Sequence, residues 1–236
     1  MEQPIDSISI KQYLLSIRLS QDGFNLSVFD ESNVLLSSKK VFASLFSLSA
    51  DDIIRLITPE TLLNYRTVRL ICESDTYTFI PAAFFNPEEA TDFLHFQFKP
   101  AKTDQILYNR IPKWDTVNVF SIPKTVHIAL KQLFPDAETE HHLSYFLNEN
   151  VKPLNEDSVY IVVRSKIMDV LVISREGILL INSYTFNTPE DFTYYILNIF
   201  DKLSLDTENC NVALYNAYKQ PELKKTLELY LKVSSF

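Results

Sequence analysis

The chain has 236 residues, 46% of them hydrophobic and 22% charged, a composition that folds into a globule and excludes a disordered chain. Its 22 basic against 30 acidic side chains leave a net charge of −8, which argues against broad electrostatic binding to nucleic acid or to an anionic membrane. Two glycines in the whole chain argue equally against a P-loop, a dinucleotide fingerprint or a kinase lid, because such loops need glycine where backbone must approach phosphate.

The two cysteines, Cys72 and Cys210, form no CxxC motif and read as buried thiols of a reducing compartment. Residues 1–10 lack the basic-then-apolar pattern of a signal peptide. The longest apolar runs, such as 80–85 and 170–173, fall far short of the roughly 18 residues that span a bilayer. The expectation is a soluble, cytoplasmic protein with no membrane insertion.

In chain order, residues 14–19 read as a strand, Gln21-Asp22-Gly23 as a turn, and the alternation of Phe24, Leu26 and Val28 as a second strand. Asp30 to Asn33 form the next turn and 34–40 a third strand. Ser49 caps a helix, with Asp52 as its capping-box partner and Ile53, Ile54 and Ile57 on its inner face. Residues 67–73 alternate as a fourth strand. The middle reads as a strand at 76–80, a helix at 87–96, and a hairpin pair at 106–111 and 116–121. Pro123 opens a helix whose apolar face is Val126, Ala129, Leu130, Leu133 and Phe134, and Pro135 stops it. Residues 147–157 read as a linker. The first pattern then returns, with strands at 159–163, 168–174 and 178–186. A helix begins at Thr188-Pro189 with Phe192, Tyr195, Ile196, Ile199, Phe200 and Leu203 on one face; a strand at 211–215 and a helix at 221–230 follow.

Both halves thus read strand, strand, strand, helix, strand, an internal duplication of topology without obvious sequence identity. Three antiparallel strands followed by a helix and a parallel strand make the core of the ribonuclease-H-like fold. Two in tandem describe the actin-like ATPase architecture, an α/β fold of mixed sheets with helices. The expected domains are 1–150, carrying an inserted hairpin and helix region at about 76–121, and a shorter second lobe at 151–236. Only residues 232–236 remain there for a final strand.

Ser16 to Phe29, and its counterpart from Tyr160 to Ile173, look like the phosphate hairpins of actin-like ATPases. Phe79-Ile80-Pro81-Ala82-Ala83-Phe84-Phe85, Asn86 to Ala90, Ile106 to Pro112, Val117 to Pro123 and Leu133 to Ala137 complete a pattern over essentially the whole chain. Together these segments resemble an uncharacterised bacterial family, domain of unknown function thirty-eight-twenty-two, described as having an actin-like ATPase fold. The actin-like resemblance implies three nucleotide elements. The first hairpin should carry Asp-x-Gly, for magnesium and for close approach to phosphate, but Arg18 and Ser20 stand in those places. The second should repeat an Asp with glycines, but Val162 to Lys166 has neither. The adenosine element should be a Gly-Gly pair, but Asn216-Ala217 follows the late strand. Arginine in place of a metal-facing carboxylate repels a divalent ion, and a Cβ at each close-approach position obstructs the nucleotide.

Other constellations are poorer. A ribonuclease-H-like nuclease needs carboxylates around two metals, and the first strand offers Arg18 instead. His141-His142 is the one histidine pair, and it reads as surface or interface rather than as a metal site. No G-x-S-x-G elbow is present. Asp51-Asp52 and Glu88-Glu89 suit first helical turns. Lys39-Lys40, Lys99 with Lys102, and Lys224-Lys225 are short basic points among acidic ones. Trp114 sits in a hairpin turn, either exposed to a partner or packed on its own hairpin. The expected function is a non-catalytic interaction or assembly scaffold with a degenerate nucleotide site, no catalytic residue, no metal and no cofactor. By analogy with actin-like components of secretion and pilus assembly, its partner would be another protein or a second copy. The alternative is a nucleotide- or phosphometabolite-binding protein with a remodelled interlobe cleft, in which Arg18, Ser20, Arg164 and Lys166 hold phosphate directly.

Overall fold

The structure is a computed structural model that describes residues 13–44, 47–61, 65–152, 156–216 and 220–235. The chain divides into two compact units, Met1–Val151 and Lys152–Phe236.

In the first unit, β1 (Leu14–Ser20), β2 (Gly23–Phe29) and β3 (Leu35–Phe42) form an antiparallel meander. Strict alternation puts Leu15, Ile17, Leu19, Phe24, Leu26 and Val28 inside. Ser49 caps α1 (Ala50–Thr61): its hydroxyl accepts the Asp52 amide and donates to the Asp52 carboxylate. Ile53 and Ile57 are the helix's fully buried residues. The chain returns as β4 (Thr67–Cys72), parallel to β1.

An inserted layer follows. It comprises β5 (Tyr77–Pro81), α2 (Ala90–Gln97), β6 (Asp104–Ile111) and β7 (Thr116–Pro123), in a three-stranded antiparallel sheet of order β5-β7-β6. Ile80, Ala90, Leu94 and Val119 are its core. Pro123 ends β7 and precedes α3 (Lys124–Leu133), which buries Val126, Ala129 and Leu130 and packs on α1. Then come β8 (Thr139–His141), parallel to β4, and α4 (His142–Glu149). The main sheet has the order β3-β2-β1-β4-β8.

The second unit repeats this order. β9 (Ser158–Arg164), β10 (Ile167–Ser174) and β11 (Gly177–Thr185) are antiparallel. After α5 (Pro189–Leu203), β12 (Asn211–Asn216) lies parallel to β9, and after α6 (Pro221–Leu227), β13 (Val233–Ser235) lies parallel to β12. The order is β11-β10-β9-β12-β13, strand for strand that of the first unit. Each middle strand also shifts register near its end, at Val28/Phe29 and at Val172/Ile173. The few residues left after α6 therefore suffice for a fifth strand, because three parallel pairs close the sheet edge.

Three expectations are corrected. The linker does not begin at 147: α4 runs to Glu149. The strand β8 and most of α4 have no counterpart in the sequence reading. His141 and His142 lie buried at the junction of the two, not on the surface. Cys72 and Cys210 are buried and free, as read from the sequence. Burial pushes the Cys72 thiol up to about 12, and burial with Asp157 and Asp206 nearby pushes Cys210 up to about 11.

Gly23 has φ +135°, and a Cβ there would lie 2.0 Å from the Val41 carbonyl oxygen on the neighbouring strand. Gly177 has a similar φ of +129° but open space around it. Gly177→Ala should cost about 1–2 kcal/mol from backbone strain alone. Gly23→Ala should cost clearly more, because the Val41 backbone must move. Urea unfolding of the two variants measures the difference, and equal costs would show that β3 yields freely.

Candidate functional site

Open sheets of this kind bind ligands at the carboxyl ends of their parallel strands, where the strand order reverses. In the first unit that point lies between β1 and β4. Arg18 is near the end of β1, and its Nε donates to Glu73 Oε1 at 2.7 Å, just past β4. Glu73 is held there by its own amide, which donates to the Leu19 carbonyl. The Ser20 hydroxyl turns back to the Gly23 carbonyl of its hairpin at 3.4 Å. Beside them is a cavity of about 320 Å³ lined by Gln21, Glu73, Asp75 and Asp104, with no basic side chain among its lining residues. Asp104 itself accepts from the Ala101 amide and the Ser121 hydroxyl.

A phosphate without a metal would meet carboxylates of like charge here, with no basic side chain in the lining to bond it. Among the described residues, no group of three or more His, Cys, Asp or Glu could hold a metal ion.

In the second unit, Arg164 ends β9. It is not turned to a ligand. Its Nε and Nη2 donate to Asp169 Oδ2 and Oδ1 at 2.6 and 2.8 Å, a bidentate pair buried to 7% and 0% exposure. The β ladders explain the contact. Asp169 on β10 faces Val162, so Arg164 is its diagonal neighbour, and Ser183 on β11 lies directly opposite and donates to Oδ1 at 2.6 Å. Lys166 is exposed in the two-residue turn, beside Ser165 at φ +55°. The Ser165 carbonyl accepts from the Gln220 amide at the start of α6. Asn216 ends β12, and Ala217 lies outside the described residues. The four residues singled out from the sequence thus fall two in each unit, and two of them are ion-paired within their own sheets.

The sequence reading missed Asp169 and Asn109, and it placed His141 at the surface or an interface. Asn109 on β6 works as a strand-mimicking amide. Its Nδ2 donates to the Thr139 carbonyl at 3.0 Å, and its Oδ1 accepts the His141 amide at 2.8 Å. That is the pair of bonds that one residue of a sixth, parallel strand would give β8. The His141 ring completes the junction. Its Nδ1 accepts the Leu143 amide and caps α4, so Nε2 carries the proton and donates to the Ser74 carbonyl at 2.9 Å. Trp114 is half-buried and donates to the Leu147 carbonyl, while Lys113 bonds the Val151 carbonyl; the hairpin turn thus pins the end of α4.

Residues 2–233 match the family described as protein of unknown function (DUF3822), and the chain belongs to that family. No curated protein matches the chain. A solved structure from Bacteroides thetaiotaomicron, described as having an actin-like ATPase fold and unknown function, is similar at a TM-score of 0.83 and 27% identity. The match covers 99% of this chain and 94% of that one. A chain of the PilM–PilN type IV pilus biogenesis complex is similar at a TM-score of 0.50 and 12% identity, over 94% of this chain and 88% of that one. The fold is that of the actin-like ATPases.

Arg164→Ala strands a buried carboxylate and should cost about 3–5 kcal/mol. Replacing both partners by apolar residues, Arg164→Met with Asp169→Leu, should recover most of that loss. Chemical denaturation of the two variants decides. A double variant as weak as the single one would show that the network matters beyond its charge balance. Asn109→Asp keeps one bond to β8 but loses the donor and sets a carboxylate against the Thr139 carbonyl. It should cost roughly 1–3 kcal/mol and raise amide exchange at His141 by hydrogen-exchange mass spectrometry.

Proposed function

We propose that this protein is a non-catalytic actin-like scaffold that holds a protein partner or a second copy of itself. The observation that carries the reading is the crevice at the ends of β1 and β4, where carboxylates stand in place of phosphate-binding groups. Arg18 and Arg164 are paired with Glu73 and Asp169, while Lys166 stands exposed in the turn of the second hairpin.

Surface chemistry supports the second half of the reading. β3 is the outer strand of its sheet, eight residues long, and it exposes Leu35, Leu36 and Phe42. These apolar side chains flank the exposed Lys39 and Lys40, and apolar patches rimmed by polar residues mark partner surfaces. Phe84 and Phe96 of the inserted layer are exposed at 74% and 97%. The similar chain of the PilM–PilN complex belongs to a protein–protein assembly, which agrees with a scaffold role on this fold. Among the described residues no helix is long and apolar enough to cross a membrane.

Thermal unfolding with and without millimolar ATP and Mg²⁺ tests the first half. A ligand at about a hundred times its dissociation constant adds roughly 2.7 kcal/mol, a shift of several degrees for a chain of this size. The expected result is no shift, and a clear rise would overturn the reading. Light scattering and affinity capture test the second half. A strictly monomeric protein that retains no partner under mild conditions would count against a scaffold.

A further inference from the structure

Among the described residues the two five-stranded sheets end on β3, β8, β11 and β13. β3 carries Lys39 and Lys40, the residue type that keeps an edge from pairing with its own kind. Asn109 occupies the outer side of β8, and β13 has only three residues. β11 has neither charge nor proline along its nine residues. Its ladder with β10 slips at Val172/Ile173, which leaves Leu180 to Thr185 as a regular run. The Phe186 amide donates inward to the Lys166 carbonyl, so alternation along that ladder turns the backbone N–H and C=O of Thr185, Ser183 and Ile181 outward. The edge continues onto α5 through a chain of rings. Tyr184 lies 5.2 Å from Tyr195, and Tyr195 lies 5.8 Å from Tyr194, which is 66% exposed.

We infer that β11 is a dimerisation edge, which pairs antiparallel with β11 of a second copy and joins their two sheets edge to edge. The inference rests on the scaffold reading and names the partner. A twofold axis at Asn182 keeps opposing residues on one face of the joined sheet, because the residues it pairs are an even number apart. Exposed Asn182 then faces Asn182 of the second copy, and a side-chain amide carries both the donor and the acceptor that its own kind needs. Ile181 falls opposite Ser183, where both strands turn their backbone groups outward. Leu180 falls opposite Tyr184, a pairing of the kind that stabilises sheets. Charge permits the approach. A chain of net charge −8 resists self-association over most of its surface. Along this seam Arg175 and Glu176 come opposite Pro189 and Thr188, so no like charges meet. The strands alone make a seam about 20 Å long, which is narrow for an interface that buries roughly 800 Å² on each partner. Tyr194 and Tyr195 widen it with the residue type that often carries binding energy at such surfaces.

The test is sedimentation velocity of the full chain over a range of concentrations. The average mass should climb from that of one chain toward that of two. Asn182→Lys alters an exposed side chain, so the fold should survive, and it sets like charges directly opposite each other. It should weaken the dimer roughly tenfold or more, and Tyr194→Ala should weaken it as well. Register has its own readout. The two Asn182 Cα atoms of such a pair lie about 4.5 Å apart, within the range that a disulfide spans. Asn182→Cys should therefore give a linked dimer on mild oxidation. Thr185→Cys lies roughly 20 Å from its own copy in this register and should not. The native thiols of Cys72 and Cys210 are buried, which keeps them out of the reaction. A chain that stays monomeric at every concentration overturns the inference and leaves the partner branch of the scaffold reading to affinity capture. A dimer that Asn182→Lys leaves equally tight and Asn182→Cys does not link overturns it too, with the scaffold reading intact.

Discussion

Asp169 lies fully buried on β10 of a five-stranded sheet, and that is tolerable because Arg164 and Ser183 bond both of its oxygens. A lone carboxylate there would protonate or unfold the strand. A guanidinium held by two short bonds to a buried partner serves the sheet, while Lys166 is exposed in the hairpin turn. Arg18 and Glu73 repeat the theme in the first unit, more loosely, since Arg18 remains about a third exposed.

A second constraint sits at β8. β8 pairs with β4 at three positions, and its other edge is bonded from the inserted layer. Asn109 supplies the missing edge from the inserted layer, and His141 ties the loop after β4 to the start of α4. The insertion is therefore part of the first unit's architecture.

The sequence was most legible where burial is periodic. The meanders 14–29 and 158–174, the helix faces Ile53/Ile57 and Phe192/Ile196/Ile199/Phe200, and the capping pair Ser49/Asp52 all appear as read. β8 and α4 were not legible. A three-residue strand carries no period, and α4 begins on two histidines whose burial depends on bonds made by Asn109, Ser74 and Leu143. Asp169 was invisible for a related reason. A charged residue within a run of valines and leucines reads as an interruption until a diagonal arginine and an opposing serine are seen beside it.

By itself the sequence determined the duplicated topology and the absence of Asp-x-Gly at Arg18 to Ser20, since alternation and residue type are local properties. Only the tertiary structure decided which charges are spent and which are offered. Arg164 is consumed by Asp169, and the crevice by Glu73 is acidic. Those facts rest on contacts between residues as far apart as Arg18 and Glu73, or Asn109 and His141, and only folding brings such groups within bonding distance.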